Sequence, residues 1–197
     1  MAKTIQFWFE FASTYSYLSA MRIEDAAQEK GVSVEWHPFL LGPVFADQGW
    51  RNSPFNIYPA KGRYMWRDME RLCAARGLPF VRPDPFPQNS LTAARLTLAI
   101  EQHSERAAFV RAVYRAEFGQ GQDISEKDVL KRCLETAGLP LNILNRTQDA
   151  DIKAALFAQS ARVKELDLFG APSFLAGDEL YWGDDRLDAA LDHAATI

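Results

Sequence analysis

The sequence predicts an α/β fold in which a βαβ unit and a ββα unit are separated by a long run of helices. Residues 4–9 form an apolar run, and residues 32–36 alternate like a second strand, with a helical pattern between them. Residues 172–182 surround the turn dipeptide Gly177-Asp178, which predicts a hairpin. A chain of 197 residues is long enough to bury a substantial core around these elements.

The first strand and the helix after it form the βαβ unit. Consecutive aromatic residues at 7–9 predict a strand that is buried on both faces. A helix is predicted over residues 15–30, because apolar residues recur along one face and Gly31 gives its end. Two strands joined by a helical crossover are expected to be parallel and right-handed.

The middle of the chain begins with a long segment, residues 38–59, that is rich in glycine, proline and aromatic residues. Because long loops in compact domains usually carry function, we interpret this segment as an ordered loop that covers a ligand. A proline-dense stretch at 80–88 is predicted to be extended. The periodic patterns predict helices at 59–76, 89–103, 105–118, from about 125 onward, and 149–168.

The C-terminal part completes the layout. Strands are predicted at 172–175 and 179–182, and Asp184 is predicted to cap a last helix that ends near His193. The order βαβ, helices, ββα is that of a thioredoxin-like fold interrupted by a helical insertion domain. The predicted boundaries assign residues 1–40 and 165–197 to the thioredoxin-like domain, and residues 41–164 to an inserted helical domain with the ligand-covering loop.

Composition excludes several classes of function. A net charge of −4 and a pI near 5.4 argue against nucleic-acid or anionic-membrane partners. The sequence has no apolar run of about 18 residues and no signal-peptide pattern, so the cytoplasm is the expected compartment. Cys73 and Cys133 lie far apart and are interpreted as reduced core thiols, and the three scattered histidines predict no metal site.

The strand-to-helix junction carries the motif S-T-Y-S at residues 13–16. Thioredoxin-like proteins place C-x-x-C at this position, where free N–H groups of the helix favour an anion such as a thiolate. This chain supplies hydroxyls and no sulfur there, so a chemical site would need an external thiolate, for which glutathione is the obvious donor. The alternative is that Ser13 only caps the helix.

The junction also carries a family resemblance. The segment EFASTYSYL at residues 10–18 resembles the D-F-x-S-P-x-S-Y-L opening of 2-hydroxychromene-2-carboxylate isomerases and kappa-class glutathione transferases, which are DsbA-like. Thr14 departs from this pattern, since the family usually has proline there, whereas Ser13 keeps its hydroxyl. Further similar blocks follow in family order, NSP at 52–54, PAKGRYM at 59–65, FPQNSL at 86–91, FGAPSF at 169–174 and WGDDRL at 182–187.

The resemblance implies that Ser13 is the catalytic residue. Its hydroxyl would donate a hydrogen bond to the glutathione sulfur and favour the thiolate over the thiol. Because no histidine or aspartate lies beside Ser13 in the sequence to activate it, we interpret it as a stabiliser of the thiolate and not as a nucleophile.

The resemblance further implies a set of residues that bind glutathione. Pro172 matches the cis-proline of thioredoxin-like folds, where Ala171 would present its backbone to the cysteinyl part; an ordinary trans proline is the alternative. Asp184 and Asp185 would bind the γ-glutamyl group, although Asp184 can equally serve as an N-cap.

Asn52 and Lys61 lie in and after the ligand-covering loop. They are predicted to hold the glycyl carboxylate of glutathione or the carboxylate of an organic acid. The alternative for Lys61 is a solvated position at a helix start. The aromatic residues Phe45, Tyr64 and Trp66 are more often core than substrate platform, but an aromatic substrate would need such surfaces.

The implied function is a glutathione-dependent isomerase of 2-hydroxychromene-2-carboxylate or a similar aromatic-catabolism intermediate, acting by reversible thiolate addition. Glutathione would be the cofactor, a small aromatic carboxylate the substrate, and a homodimer the expected assembly, as in the family. Two alternatives stay open: a kappa-class-like glutathione transferase or peroxidase, and a non-catalytic DsbA-like binding module.

Overall fold

The computed structural model describes residues 3–197 and contains a four-stranded mixed sheet flanked by helices. The strands are β1 (Thr4–Phe9), β2 (Ser33–Pro38), β3 (Ser173–Ala176) and β4 (Glu179–Trp182). Strand β1 pairs in parallel with β2 and antiparallel with β3, and β3 pairs antiparallel with β4, which gives the order β2-β1-β3-β4. The predicted thioredoxin-like fold with helices between its two units is therefore confirmed.

Helices occupy both faces of the sheet and the whole middle of the chain. A π-helical turn occupies Arg115–Gly119, and two 3₁₀ segments lie at Leu141–Gln148 and Asp184–Arg186. The α-helices are α1 (Thr14–Ala20), α2 (Ile23–Glu29), α3 (Leu41–Asp47), α4 (Pro54–Ile57), α5 (Pro59–Ala75), α6 (Leu91–Ala99), α7 (His103–Tyr114), α8 (Lys127–Thr136), α9 (Ala150–Glu165) and α10 (Leu187–Ala194).

The helix predicted over residues 15–30 is in fact two helices, α1 and α2, so this prediction was wrong in its continuity. Arg22 separates them with φ −130° and ψ −14°, outside the helical region. Its guanidinium reaches the other end of the chain, where it donates to the Asp184 carbonyl at 3.0 Å and to the Asp188 carboxylate at 2.8 Å. The helix thus breaks at a residue that makes long-range contacts, and the local apolar pattern gave no sign of this break.

The segment predicted as a loop over residues 38–59 also contains two short helices, α3 and α4. The first amide of α3, that of Leu41, donates to the Glu10 carboxylate at 2.8 Å. Helix α4 is capped by Ser53, whose Oγ accepts a hydrogen bond from the Phe55 N–H at 3.3 Å. Neither helix contains a buried residue, but the segment is attached to the core, because its Phe39 is part of the core and Leu41, Val44 and Phe55 pack against it.

Aromatic side chains of β1 organise the core. The ring of Phe7 stacks on that of Phe174 with centroids 5.4 Å apart and meets the edge of Trp36 at 5.0 Å. Tyr114 and other side chains of the middle helices belong to the same apolar cluster. Because that cluster is continuous, the division of the chain at residues 40/41 and 164/165 stays a prediction.

Two further expectations concern the chain as a whole. Cys73 and Cys133 are buried free thiols, and burial raises the pKa of each to about 11. Among residues 3–197, no helix has both the length and the apolar character that crossing a membrane requires.

Candidate active site

Ser13 lies where β1 leads into α1, and it is only 8% exposed. Its extended backbone makes it the N-cap of α1, and its Oγ accepts a hydrogen bond from the Ser16 N–H at 3.3 Å. The same Oγ donates its proton to the carbonyl of Ala171 at 2.9 Å. The cap uses a lone pair of the Ser13 oxygen, whereas the bond to Ala171 uses the Ser13 O–H. Capping alone therefore leaves the O–H able to donate to another acceptor.

The segment before β3 lies directly beside Ser13 and forms a second wall of the site. The Ala171–Pro172 peptide is cis, as the resemblance implied. A Cβ at Gly170 would lie 2.5 Å from Nε1 of Trp182, so this indole packs directly on the glycine backbone. The ring of Phe169 meets the same indole at 5.0 Å, which extends the wall with exposed aromatic surface.

A cavity of about 1070 Å³ lies between these two walls and the segment that contains α3 and α4. Four of the predicted site residues border it, namely Ser13, Asn52, Lys61 and Ala171. Pro172, Asp184 and Asp185 do not border it. The remaining lining is largely apolar and includes aromatic rings, those of Phe45, Trp50, Phe55, Phe86, Phe169 and Trp182.

The exposed side of the cavity is cationic. Arg51 and Lys61 both border it, and within residues 3–197 neither lies within ion-pair distance of a carboxylate. The Lys61 ammonium sits over the ring of Tyr58, 5.1 Å from its centroid. The Asn52 Oδ1 accepts hydrogen bonds from the Ser53 N–H at 2.7 Å and from Asn56 at 3.1 Å, which leaves the Asn52 NH₂ group to donate to an anion.

Asp184 and Asp185 differ sharply in their surroundings. Asp184 is 4% exposed; its Oδ1 accepts from the Ser19 hydroxyl at 2.9 Å and its Oδ2 pairs with the Arg76 guanidinium at 2.6 Å. Asp185 is exposed, and its carboxylate lies 3.1 Å from the Arg186 guanidinium. Asp184 therefore ties α1 to α5 inside the protein, and a role of either carboxylate in glutathione binding stays a prediction.

Sequence analysis did not single out two buried carboxyl groups near the site, those of Glu10 and Glu117. Glu10 borders the cavity, and its carboxylate accepts the Leu41 N–H and, at 3.4 Å, the Ala12 N–H. Burial raises the pKa of Glu10, and hydrogen bonds from Ser90 and nearby amides oppose that rise. Its place directly after an apolar strand, three residues before Ser13, was the signal that could have identified it.

Glu117 lies in the π-helical turn and is fully buried. Neither of its carboxyl oxygens has a hydrogen-bond partner within the described part of the chain. Burial first, and then the charges of Glu10 and Asp123, raise the pKa of Glu117 well above its ordinary value.

Two buried hydrogen-bond donors at the cavity were also missed. Thr14 is 1% exposed and Gln88 is 5% exposed, and both border the cavity. The Thr14 hydroxyl and the Gln88 Nε2 have no hydrogen-bond partner among residues 3–197. The sequence offered only a weak signal, since both residues lie within the blocks that resemble the isomerase family.

Fold and site together define a thioredoxin-like protein in which hydroxyls stand where the redox members carry thiols. The family model described as a DSBA-like thioredoxin domain matches residues 4–195. The chain is 30% identical to the 2-hydroxychromene-2-carboxylate isomerase of Sphingobium xenophagum, over 95% of this chain and 96% of that relative. It is 25% identical to Glutathione S-transferase kappa 1 of Caenorhabditis elegans, over 95% and 89% of the two chains.

Among solved structures, one of 2-hydroxychromene-2-carboxylate isomerase superposes with a TM-score of 0.85 at 25% identity, covering 93% of this chain and 90% of that one. The chain therefore belongs to the DsbA-like thioredoxin family, in the group that contains the 2-hydroxychromene-2-carboxylate isomerases. The resemblance stated from the sequence is confirmed, and the relatives support an isomerase.

Proposed function

We propose that this chain is a glutathione-dependent isomerase of 2-hydroxychromene-2-carboxylate or a similar aromatic intermediate. The observation that carries the proposal is a serine hydroxyl, that of Ser13, at the edge of a large cavity with an apolar lining. Both cysteines of the chain are buried with raised pKa values, so a reactive sulfur has to come from a bound molecule. Opening of the hemiketal ring breaks its C–O bond and gives a keto group and a phenol. The thiolate of bound glutathione would then add to the conjugated double bond, the resulting single bond would rotate, and loss of the thiolate would restore the double bond in the trans form.

The contact between Ser13 and Ala171 fits such a cofactor. A carbonyl oxygen accepts two hydrogen bonds, so the Ala171 carbonyl can take a backbone N–H of an extended peptide. The Ser13 O–H, which points to that carbonyl at 2.9 Å, can then turn to a sulfur anion. A hydrogen bond to the charged form favours the thiolate and lowers the pKa of the bound thiol.

The charges around the cavity also suit anionic ligands. Arg51, Lys61 and the free NH₂ group of Asn52 offer donors to the carboxylates of glutathione or of an organic acid. The carboxyl of Glu10, which also borders the cavity, accepts N–H groups of Leu41 and Ala12. Aromatic rings such as those of Phe45 and Trp50 provide apolar surface for a planar substrate.

The test compares Ser13→Ala with Ser16→Ala, a change at the second serine of the S-T-Y-S motif, which does not border the cavity. Ser13→Ala is expected to lose about 1 kcal/mol of stability as a lost N-cap, to raise the pKa of bound glutathione, and to slow isomerisation by roughly 10²-fold or more. Ultraviolet titration of the bound thiolate and an isomerisation assay measure these effects. An unchanged titration in Ser13→Ala, or an equal wild-type rate without glutathione, would reject the proposal.

A kappa-class-like transferase is the second candidate, because the same serine site would activate glutathione for conjugation and a kappa-class relative covers most of the chain. Rates with chlorodinitrobenzene and with the chromene substrate on one preparation separate the two activities. A non-catalytic binding module would show neither activity and no glutathione binding by calorimetry. A homodimer and a cytoplasmic location belong to the proposal, and light scattering tests the first.

A further inference from the structure

Phe169 and Trp182 present an exposed pair of aromatic rings at the cavity. Trp182 is 53% exposed and Phe169 is 47% exposed, and both residues border the cavity. Their rings meet edge to face, with centroids 5.0 Å apart and an angle of 63° between the ring planes. Large apolar side chains that stay exposed together at a cavity indicate a surface for a ligand, because apolar area is unfavourable in water.

The backbone around Trp182 fixes the position of its ring. Trp182 is the last residue of β4 and pairs with Ser173 of β3. The next amide, that of Gly183, donates to the Pro172 carbonyl at 3.0 Å. A Cβ on Gly170 would lie 2.5 Å from the indole Nε1, 3.1 Å from Cε2 and 3.3 Å from Cδ1, so the five-membered ring of the indole rests on this glycine. A ring that is held in place before binding loses little conformational entropy when a ligand stacks on it.

The indole of Trp182 lies next to the backbone group that contacts Ser13. Gly170, on which the indole rests, directly precedes Ala171, and the Ala171 carbonyl accepts the Ser13 hydroxyl at 2.9 Å. Consecutive Cα atoms are about 3.8 Å apart, so the backbone under the indole and the backbone beside the hydroxyl are direct neighbours. A ligand that reacts with a sulfur atom at Ser13 is therefore within reach of the indole.

The chemistry of the addition step requires the substrate ring to lie at the same point. A thiolate adds to the carbon that is β to the keto group, and in a benzylidenepyruvate this carbon is bonded directly to the aromatic ring. The ring is therefore one bond away from the carbon that the sulfur attacks. The carboxylate is at the opposite end of the molecule, and the cations Arg51 and Lys61, which border the same cavity, are suited to bind it.

We propose that Trp182 stacks on the aromatic ring of the substrate and that Phe169 forms the second side of this ring-binding subsite. The inference rests on the proposed isomerase function and deepens it, because it assigns the residues that select an aromatic 2-oxo acid over an aliphatic one. Ring pairs in stacked or edge-to-face contact stabilise a complex beyond the burial of their area. Glutathione has no ring, so its binding does not depend on this subsite.

The experiment compares the affinities of two 2-oxo acids by calorimetry, without glutathione so that no addition takes place. The aromatic acid is trans-benzylidenepyruvate, and the aliphatic acid is trans-2-oxohex-3-enoate, in which a methyl group replaces the ring. Trp182→Leu removes the aromatic ring and keeps an apolar side chain, whereas Trp182→Phe keeps a ring. Phe169→Leu tests the second side of the subsite. The matched control is Phe157→Leu, a change at an exposed phenylalanine of α9 that does not border the cavity.

Trp182→Leu is expected to weaken binding of the aromatic acid about two- to tenfold, which is the range for one aromatic pair. Trp182→Phe should retain most of the affinity, and Phe169→Leu should lose less than Trp182→Leu because its ring contacts the substrate beside the indole. The affinities for the aliphatic acid and for glutathione should stay at the wild-type values in all three variants. Phe157→Leu should bind every ligand as the wild type does.

Gly170→Ala tests whether the position of the indole matters. The added methyl group would lie 2.5 Å from the indole Nε1, so the ring of Trp182 has to move. Gly170→Ala should therefore weaken binding of the aromatic acid in the wild-type background. In the Trp182→Leu background, where the indole is absent, the same change should have no further effect. A loss of equal size in both backgrounds contradicts a role of Gly170 through the indole.

Unchanged affinity for the aromatic acid in Trp182→Leu overturns the ring-binding subsite. A loss of equal size with the aliphatic acid and with glutathione also overturns it, because it indicates general damage to the cavity. If the wild type isomerises the chromene with glutathione while either result is found, the subsite alone is refuted. A wild type that shows the expected losses but no glutathione-dependent isomerisation refutes the proposed function and leaves the aromatic binding surface in place.

Discussion

Strand β1 and the segment that contains α3 and α4 are both rich in aromatic residues, but they use them in opposite ways. Phe7 and Phe9 of β1 are fully buried; Phe7 stacks on Phe174 of β3, and Phe9 meets Trp36 of β2 edge-on. Helices α3 and α4 contain no buried residue, and the partly exposed rings of Phe45 and Trp50 face each other along the cavity. Aromatic content alone therefore does not distinguish a core from a ligand surface.

The difference lies in what anchors each region. Strand β1 is held by ladders on both sides and by continuous apolar contact. The α3–α4 segment has only partly buried apolar side chains, those of Leu41, Val44 and Phe55, against the core. Polar contacts add to these, such as the Leu41 amide on Glu10 and the Lys164 ammonium 2.7 Å from the Asp47 carboxylate. We expect substitutions in the first region to change the free energy of unfolding and substitutions in the second to change ligand affinity.

The largest expected effect is that of Phe7→Ala. Removing this fully buried ring leaves a cavity between Phe174 and Trp36, and such changes cost about 3–5 kcal/mol of stability. Urea unfolding followed by far-ultraviolet circular dichroism measures the loss. A cost below about 1 kcal/mol would show that β1 is not the anchor that its packing indicates.

The second largest loss of stability is expected for Asp184→Asn. It removes the charge that pairs with Arg76 and Arg22, and hydrogen bonds to charged groups contribute about 1.5–3 kcal/mol. The exposed Asp185→Asn is the matched control and should stay within about 0.5 kcal/mol of the wild type. Glutathione affinity is measured in both variants as well. This measurement tests the predicted role of each aspartate in glutathione binding independently of its effect on stability.

Glu117→Gln tests the buried carboxyl group through pH. Its folded-state pKa lies well above the ordinary 4.5, so the folded protein binds a proton that the unfolded chain releases as pH rises above that value. The free energy of unfolding of the wild type should therefore decline as pH rises above about 4.5. The decline should be about 1.4 kcal/mol for each pH unit between the ordinary pKa and the folded-state pKa of Glu117.

In Glu117→Gln the part of this decline that comes from Glu117 should disappear, leaving the part from the raised pKa of Glu10, whereas the exposed Glu135→Gln should keep the whole decline. Unfolding free energies measured at a series of pH values provide the comparison. Parallel pH profiles for the wild type and Glu117→Gln would contradict a raised pKa.

Phe45→Ala is expected to have the smallest effect on stability. It removes one partly exposed ring from a pair with Trp50, whose centroids are 5.8 Å apart, and such pairs contribute about 0.5–1.5 kcal/mol. Affinity for an aromatic acid should nevertheless fall, because the ring borders the cavity. Calorimetry measures this affinity; a variant that unfolds readily but binds normally would reverse the contrast with β1.

The sequence predicted those parts of the molecule whose determinants are local. The strand pattern at 4–9, the Gly177-Asp178 turn and the Ser13 cap depend on neighbours within a few residues, and the structure contains all three. The order of these elements was sufficient to predict the thioredoxin-like fold. Four of the seven predicted site residues border one cavity, and these were predicted from the family blocks that contain them and not from local pattern.

The features that the sequence did not reveal depend on distant partners. Helix α3 begins at a leucine without a capping side chain, and its amide is satisfied by Glu10, 31 positions earlier. The break at Arg22 coincides with contacts to Asp184 and Asp188. The burial of Gln88 depends on a bond to the backbone of Ile124. Pairing across such separations leaves no periodicity that a single sequence can show.

The position of β1 between β2 and β3 has a consequence for synthesis on the ribosome. One edge of β1 closes early, when β2 emerges, but the other waits for Ser173–Ala176 at the far end of the helical block. At about 5–20 residues per second, translation leaves that edge open for roughly ten to thirty seconds. A nascent chain arrested before Ser173 is expected to aggregate or to be held by a chaperone, whereas release after Trp182 lets the sheet close.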